Sequence, residues 1–149
     1  MENIRIEILK GPLSSELVPN SWRSGEHGAV VTFLGIVRAR NHGRQVKSVY
    51  YEAFVPLAES FLRQICGEAL EKFGVKDGRI YLAHSEGDIQ PGQTSLVVIT
   101  ATAHRAEAFM VTQHVIDELK KRVPIWKHER YSDGSSAWLR GCALHEAPQ

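Results

Sequence analysis

Arg79-Ile80-Tyr81-Leu82-Ala83-His84-Ser85, then Gln90-Pro91-Gly92-Gln93, then Thr94-Ser95-Leu96-Val97-Val98-Ile99-Thr100-Ala101-Thr102-Ala103: this stretch decides the fold. Both flanks are rich in apolar and β-branched residues, and the Pro-Gly pair between them marks a turn. Two strands joined so closely pair as a hairpin, because a parallel pair needs a crossover of a dozen or more residues. A helical pattern follows at residues 106–122, with Phe109, Ile116 and Leu119 on one stripe, and Pro124 ends it.

The same reading extends in both directions. Residues 125–131 and 136–139 read as strands flanking a hairpin turn, Ser132-Asp133-Gly134-Ser135. Upstream, Pro56 suits the first position of a helix. Behind it Ala58, Phe61, Leu62, Ile65, Cys66, Ala69, Leu70 and Phe73 recur at three- and four-residue steps, and Gly74 closes the run. Residues 46–53 have a strand pattern. Residues 28–37 are nearly all apolar and read as a central strand covered on both faces. Between them Arg38, Arg40, Asn41, His42, Gly43 and Arg44 suggest a basic, mobile loop over 38–45. Ile4, Ile6 and Ile8 alternate with polar residues, as in a half-buried first strand. Residues 14–18 suggest a short helix stopped by Pro19. Strands linked as hairpins, with two long helices, predict an α+β domain with a mainly antiparallel sheet over residues 1–149, not a doubly wound parallel one.

Composition narrows the function classes. Of 149 residues, 43% are hydrophobic and 23% charged, enough apolar material for a core, so disorder is excluded as the main state. Lys and Arg total 18 against 17 Asp and Glu. A net charge of +1 gives no strong overall field for nucleic acid or an acidic membrane, so any anion site must come from local clustering. Cys66 and Cys142 make neither a disulfide framework nor a zinc site, and Cys66 lies on an apolar stripe as a core residue does. The N-terminus lacks the apolar region of a signal peptide, and the apolar run at 28–37 is far shorter than the ~18–20 residues of a membrane span. A reduced, cytoplasmic setting is expected. There is no GxGxxG, P-loop, HExxH or GxSxG, and none of the histidines has metal-ligand spacing with acidic or cysteine partners.

The positive signal is basic. His104-Arg105 follows an apolar strand and precedes a helix, where unpaired backbone N–H groups attract anions. An Arg there can fork onto a phosphate, or it can simply be a surface residue in a helix-initiating turn. Lys120-Lys121-Arg122 ends the helix, where cations suit the macrodipole. Lys127 follows the Pro124 bend beside Trp126. If the chain reverses between them, Lys120 and Lys127 face one pocket, and clustered cations lower one another's pKa as lysine catalysis near neutrality requires. Arg38 and Arg40 could close over that pocket. Trp22, Trp126 and Trp138 read as core or interface residues.

Five blocks then match a known family. They are Gly28-Ala29-Val30-Val31-Thr32-Phe33-Leu34-Gly35-Ile36-Val37-Arg38; Tyr51-Glu52-Ala53-Phe54; Ala103-His104-Arg105 with Ala108-Phe109; Asp117-Glu118-Leu119-Lys120; and Pro124-Ile125-Trp126-Lys127-His128-Glu129. In this combination and order the chain resembles the large, catalytic subunit family of molybdopterin synthase. The resemblance implies an α/β hammerhead fold and a homodimer. It also implies a small ubiquitin-like sulfur-carrier partner at each end, giving a heterotetramer. The partner's C-terminal Gly-Gly thiocarboxylate would enter the large subunit's pocket and pass sulfur to cyclic pyranopterin monophosphate, forming the dithiolene of molybdopterin. It implies Lys120 and Lys127 as catalytic lysines, Arg38, His104 and Arg105 as substrate or anion contacts, and Arg140 as an arginine reaching a neighbouring subunit's pocket. It calls for no metal or resident cofactor. The competing reading is a non-catalytic module for a phosphorylated ligand or single-stranded RNA, using the basic cluster with Tyr50, Tyr51 and Trp126. The near-neutral charge and the lack of an RNP-like pattern weigh against it.

Overall fold

Alternation of Ile4, Ile6 and Ile8 with polar residues produces β1 (Ile4–Lys10), the first strand of the computed structural model, which describes residues 3–16 and 24–139. There follow β2 (Ala29–Ile36), β3 (Arg40–Asn41), β4 (Arg44–Ala53), α1 (Val55–Lys72), β5 (Arg79–Ile89), β6 (Thr94–Thr102), α2 (Arg105–Arg122), β7 (Ile125–Tyr131) and β8 (Ser136–Leu139). The strands lie in the order β2-β6-β5-β4-β7-β8, with β1 on β5 and β3 on β4. Every pairing between these strands is antiparallel except β1 with β5. The architecture is the α+β class expected.

Strand β5 does two jobs. Residues from Arg79 to His84 pair with β6, whereas Gly87 and Ile89 pair with Tyr51 and Val49 of β4. At the start of the second half Gly87 has φ +95°, a backbone conformation that glycine adopts at little cost. β5 therefore passes from β6 to β4, and the cleft described below is lined from both of those strands.

The helices cover one face. In α1, Ala58, Leu62, Ile65, Cys66 and Ala69 are completely buried, and in α2 so are Ala108, Val111, Val115 and Leu119. All of these but Ala108 join Ile80, Leu82 and Val98 of the sheet in one core cluster. Burial pushes the Cys66 thiol up to about 12 against a lesser, opposing influence of Arg63, so this cysteine is a core residue and not a nucleophile. Arg122 joins the two helices through hydrogen bonds of 2.7 and 3.3 Å to Glu68. Those bonds hold the Glu68 carboxyl below its ordinary pKa. A smaller cluster of Leu13, Tyr81, Ala83, Val97 and Ile99 occupies the opposite face.

Several local expectations are corrected. Residues 28–37 do not make a central strand. Among the described residues β2 ends the sheet path, with Val30 and Ile36 nearly half exposed, while β6 is buried along its whole length. A continuous apolar run shows that a strand has apolar surroundings on both sides, but not that a second strand flanks it. Residues 38–45 are not a loose loop. Arg40 pairs with Gln45 and Asn41 with Arg44 around His42 and Gly43, whose φ values of 49° and 76° are those a two-residue hairpin turn requires. On α2 the buried stripe is Ala108, Val111, Thr112, Val115 and Leu119, and Phe109 is exposed. Pro56 takes the second helical position behind Val55, still within the first turn where no N–H partner is lost. Ser14 is irregular, residues 15–16 form a turn, and the rest of the expected 14–18 helix lies outside the described residues, as do Trp22, Arg140 and Cys142. Trp126 and Trp138 are about half exposed, so neither is a core residue.

Candidate active site

One chain reversal and one β-bulge build the site. α2 stops at Val123, whose extended backbone (φ −82°, ψ 132°) precedes Pro124, and the chain returns as β7. Lys120, in the last turn of α2, and Lys127, on β7, consequently line one cleft. On β7 the alternation is informative. Lys127 and Glu129 stand opposite Tyr51 and Val49 of β4 and share their inward face, while Trp126 points to the other side. The lysine pocket expected from the sequence exists.

The bulge lies where the end of β2 pairs with the start of β6. Gly35 pairs with Leu96 but Ile36 with Thr94, so Ser95 is the extra residue of a β-bulge. The bulge aims Ser95 into the cleft, where its hydroxyl donates to the Gly35 carbonyl at 3.3 Å and accepts from the Tyr51 hydroxyl at 3.5 Å. Beyond the bulge, Val37 is buried and Arg38 reaches the rim. His84 completes the floor. It is 1% exposed, packs edge-on to Tyr51 at 5.2 Å, and lies with Nδ1 2.7 Å from the Ser85 carbonyl. That short contact to a pure acceptor requires the proton on Nδ1.

One buried acid sits among these cations. Glu129 is 2% exposed, accepts a 2.6 Å hydrogen bond from Asn41 Nδ2, and lies 4.0 Å from Lys127 Nζ. Asn41 in turn accepts from Arg38 at 3.4 Å. Arg38, Lys120 and Lys127 thus surround a partly apolar cleft of about 140 Å³ walled by Phe33, Val49 and Leu96. Pockets that enclose a whole small ligand measure roughly 300–1,000 Å³, so this one holds only part of one.

His104 and Arg105 are not in this cleft. They start α2, and Lys120 lies fifteen residues further along it, about 22 Å away at 1.5 Å per residue. The His104 side chain is 81% exposed, with Nδ1 3.6 Å from Glu107, and Arg105 is exposed as well. Lys121 and Arg122 are engaged with Glu118 and Glu68, so of the basic run only Lys120 lines the cleft. Tyr51 is 7% exposed, which removes it as a stacking platform for a nucleotide base. Asn41, His84 and Ser95 were missed by sequence reasoning, and Glu129 had no role in it. Only Glu129 left a readable sign: charged residues at 127 and 129 on the inward face of a strand that begins with Ile125.

An α+β scaffold that gathers an arginine and two lysines over a small, partly apolar cleft is suited to an anionic ligand. The MoaE protein family matches residues 8–122. The molybdopterin synthase catalytic subunit of Synechococcus elongatus is 37% identical over 94% of this chain and 84% of its own length. That of Pyrococcus abyssi is 38% identical over 79% and 78%. The crystal structure of molybdopterin synthase from Staphylococcus aureus superposes with a TM-score of 0.80 at 31% identity, covering 93% of this chain and 97% of that one. The chain belongs to the MoaE family, the catalytic subunits of molybdopterin synthase, which act in molybdenum cofactor biosynthesis.

Proposed function

We propose that this chain transfers sulfur from the C-terminal thiocarboxylate of a small ubiquitin-like partner subunit to cyclic pyranopterin monophosphate, forming the molybdopterin dithiolene. The observation that carries the reading is the convergence of Lys120 and Lys127 on one cleft with Arg38 at its rim. A thiocarboxylate is an anion with an electrophilic acyl carbon, so the site needs a cation to receive it and a group to move a proton or attack. Lys127, 4.0 Å from Glu129, is the positioned charge. Lys120 is the group for the chemical step. The sulfur arrives on the partner, so no cysteine of this chain is required. The partially enclosing cleft suits a narrow Gly-Gly tail entering beside the pterin. The relatives' designation as catalytic subunits agrees with a second, sulfur-carrying subunit.

His104 and Arg105 fit this chemistry only from a second copy, because their own helix holds them about 22 Å from Lys120. The proposed assembly is therefore a homodimer in which each copy lends the start of α2 to its neighbour's cleft, with one small partner at each end. Mixing the chain with a thiocarboxylated partner and cyclic pyranopterin monophosphate tests the reading. Dithiolene formation at the expense of the thiocarboxylate is the expected result. An unconsumed thiocarboxylate in a formed complex contradicts it.

A further inference from the structure

Arg38 is exposed and stands where β2 has ended, so packing does not fix its direction. Asn41 touches it. The Asn41 side chain accepts from Arg38 Nη2 at 3.4 Å through Oδ1 and donates through Nδ2 to Glu129 Oε1 at 2.6 Å. A single primary amide thereby links a rim cation to the buried carboxylate that also faces Lys127. An amide suits both ends, since it offers an acceptor to the guanidinium and a donor to the carboxylate. Aspartate there would oppose Glu129 as a like charge, and alanine would remove a charge-assisted bond from a buried acid.

The hairpin that carries Asn41 has other anchors. Ser132 N–H donates to the Gln45 carbonyl at 2.9 Å, and Val46 N–H to that of Ala39 at 2.8 Å. The Arg44 guanidinium lies 3.6 Å over the Tyr131 ring, hydrogen-bonds Ser135, and is 3.7 Å from Asp133. Loss of the Asn41 amide therefore leaves the hairpin docked and changes only what the amide aims.

We propose that Asn41 is a positioning residue: it orients Arg38 toward the phosphate of the substrate and keeps Glu129 directed between Arg38 and Lys127. The inference rests on the reading of this cleft as the phosphorylated-pterin site.

The test uses the complex with its thiocarboxylated partner and varies cyclic pyranopterin monophosphate. Asn41→Ala raises KM about tenfold or more and changes kcat by less than about threefold, the pattern of lost anion binding. Asn41→Asp is worse. The double variant Asn41→Asp with Glu129→Gln exchanges donor and acceptor across the 2.6 Å contact, and its KM returns to within about threefold of Glu129→Gln alone. An unchanged KM in Asn41→Ala, or a double variant no better than Asn41→Asp, overturns the proposal. Two measurements on the unliganded chain separate aiming from folding. Hydrogen exchange at residues 40–45 stays as slow in Asn41→Ala as in the unsubstituted protein, and its loss would reduce Asn41 to a structural residue. Side-chain NMR of Arg38 shows a restrained guanidinium in the unsubstituted protein that becomes motionally averaged in Asn41→Ala; an identical signal in both overturns the proposal. If the unsubstituted complex forms no dithiolene, the functional reading fails, while the NMR comparison still decides whether Asn41 holds Arg38.

Discussion

At its C-terminal end α2 delivers Lys120 into a walled cleft, and at its N-terminal end it leaves His104 81% exposed and Arg105 beside it in solvent. The C-terminal cations have local reasons to be there. They oppose the negative end of the helix dipole, and Lys121 and Arg122 engage Glu118 and Glu68. Arg105 has the reverse placement, a cation at the positive end of the helix, with only Glu107 as an acid in the first turn. An arrangement that costs the isolated chain a few tenths of a kcal/mol is offset when an anion arrives. One end of the helix is thus finished within the chain, whereas the other is the end that the proposed assembly completes with a neighbour and a ligand.

Substitutions along α2 sharpen the contrast. The largest effect is expected at Lys120. Arginine keeps the charge but does not release a proton in a protein, so Lys120→Arg folds, binds the partner, and loses turnover by about 100-fold or more. Lys127→Arg retains more activity, because the role proposed for it is charge. Equal losses in single-turnover dithiolene assays would remove the distinction between the two lysines. Arg105→Ala comes next. A hydrogen bond to a charged group contributes about 1.5–3 kcal/mol, so binding of the phosphorylated pterin to the dimer weakens roughly tenfold or more with the circular dichroism spectrum unchanged. An unaltered dissociation constant would leave Arg105 a surface residue. The smallest effect is expected two positions from Lys120. Arg122→Gln breaks the contact with Glu68, a partly exposed pair between helices. It lowers the melting temperature slightly and leaves turnover within about twofold. A large loss of turnover there would show that the cleft depends on how the helices are clamped.

The sequence made some of this legible for physical reasons. Helical periodicity is long-range and redundant, so both helices were placed within a residue or two, and Pro124 announced the reversal that joins Lys120 to Lys127. Pairing partners were less legible. The apolar run at 28–37 resembles a central strand because α2 and the sheet screen it, yet β6 is the strand buried throughout. His42-Gly43 looked like part of a loop because a histidine with positive φ has no compositional mark. The cleft's polar parts were legible only in fragments. Ser95 enters through a bulge, His84 just before β5 changes its pairing partner, and Asn41 through a hairpin, and none of these leaves a periodic trace.

Whether one copy's Arg105 serves the other copy's Lys120 is tested directly by subunit exchange. Lys120→Arg and Arg105→Ala proteins, each defective alone, are mixed, allowed to exchange subunits, and assayed with the thiocarboxylated partner at subsaturating pterin. A shared site predicts that each mixed dimer regains one intact cleft, so random exchange restores about one quarter of the unsubstituted activity. Activity no greater than the average of the two separate variants would contradict it, and would return His104 and Arg105 to the surface of a single chain.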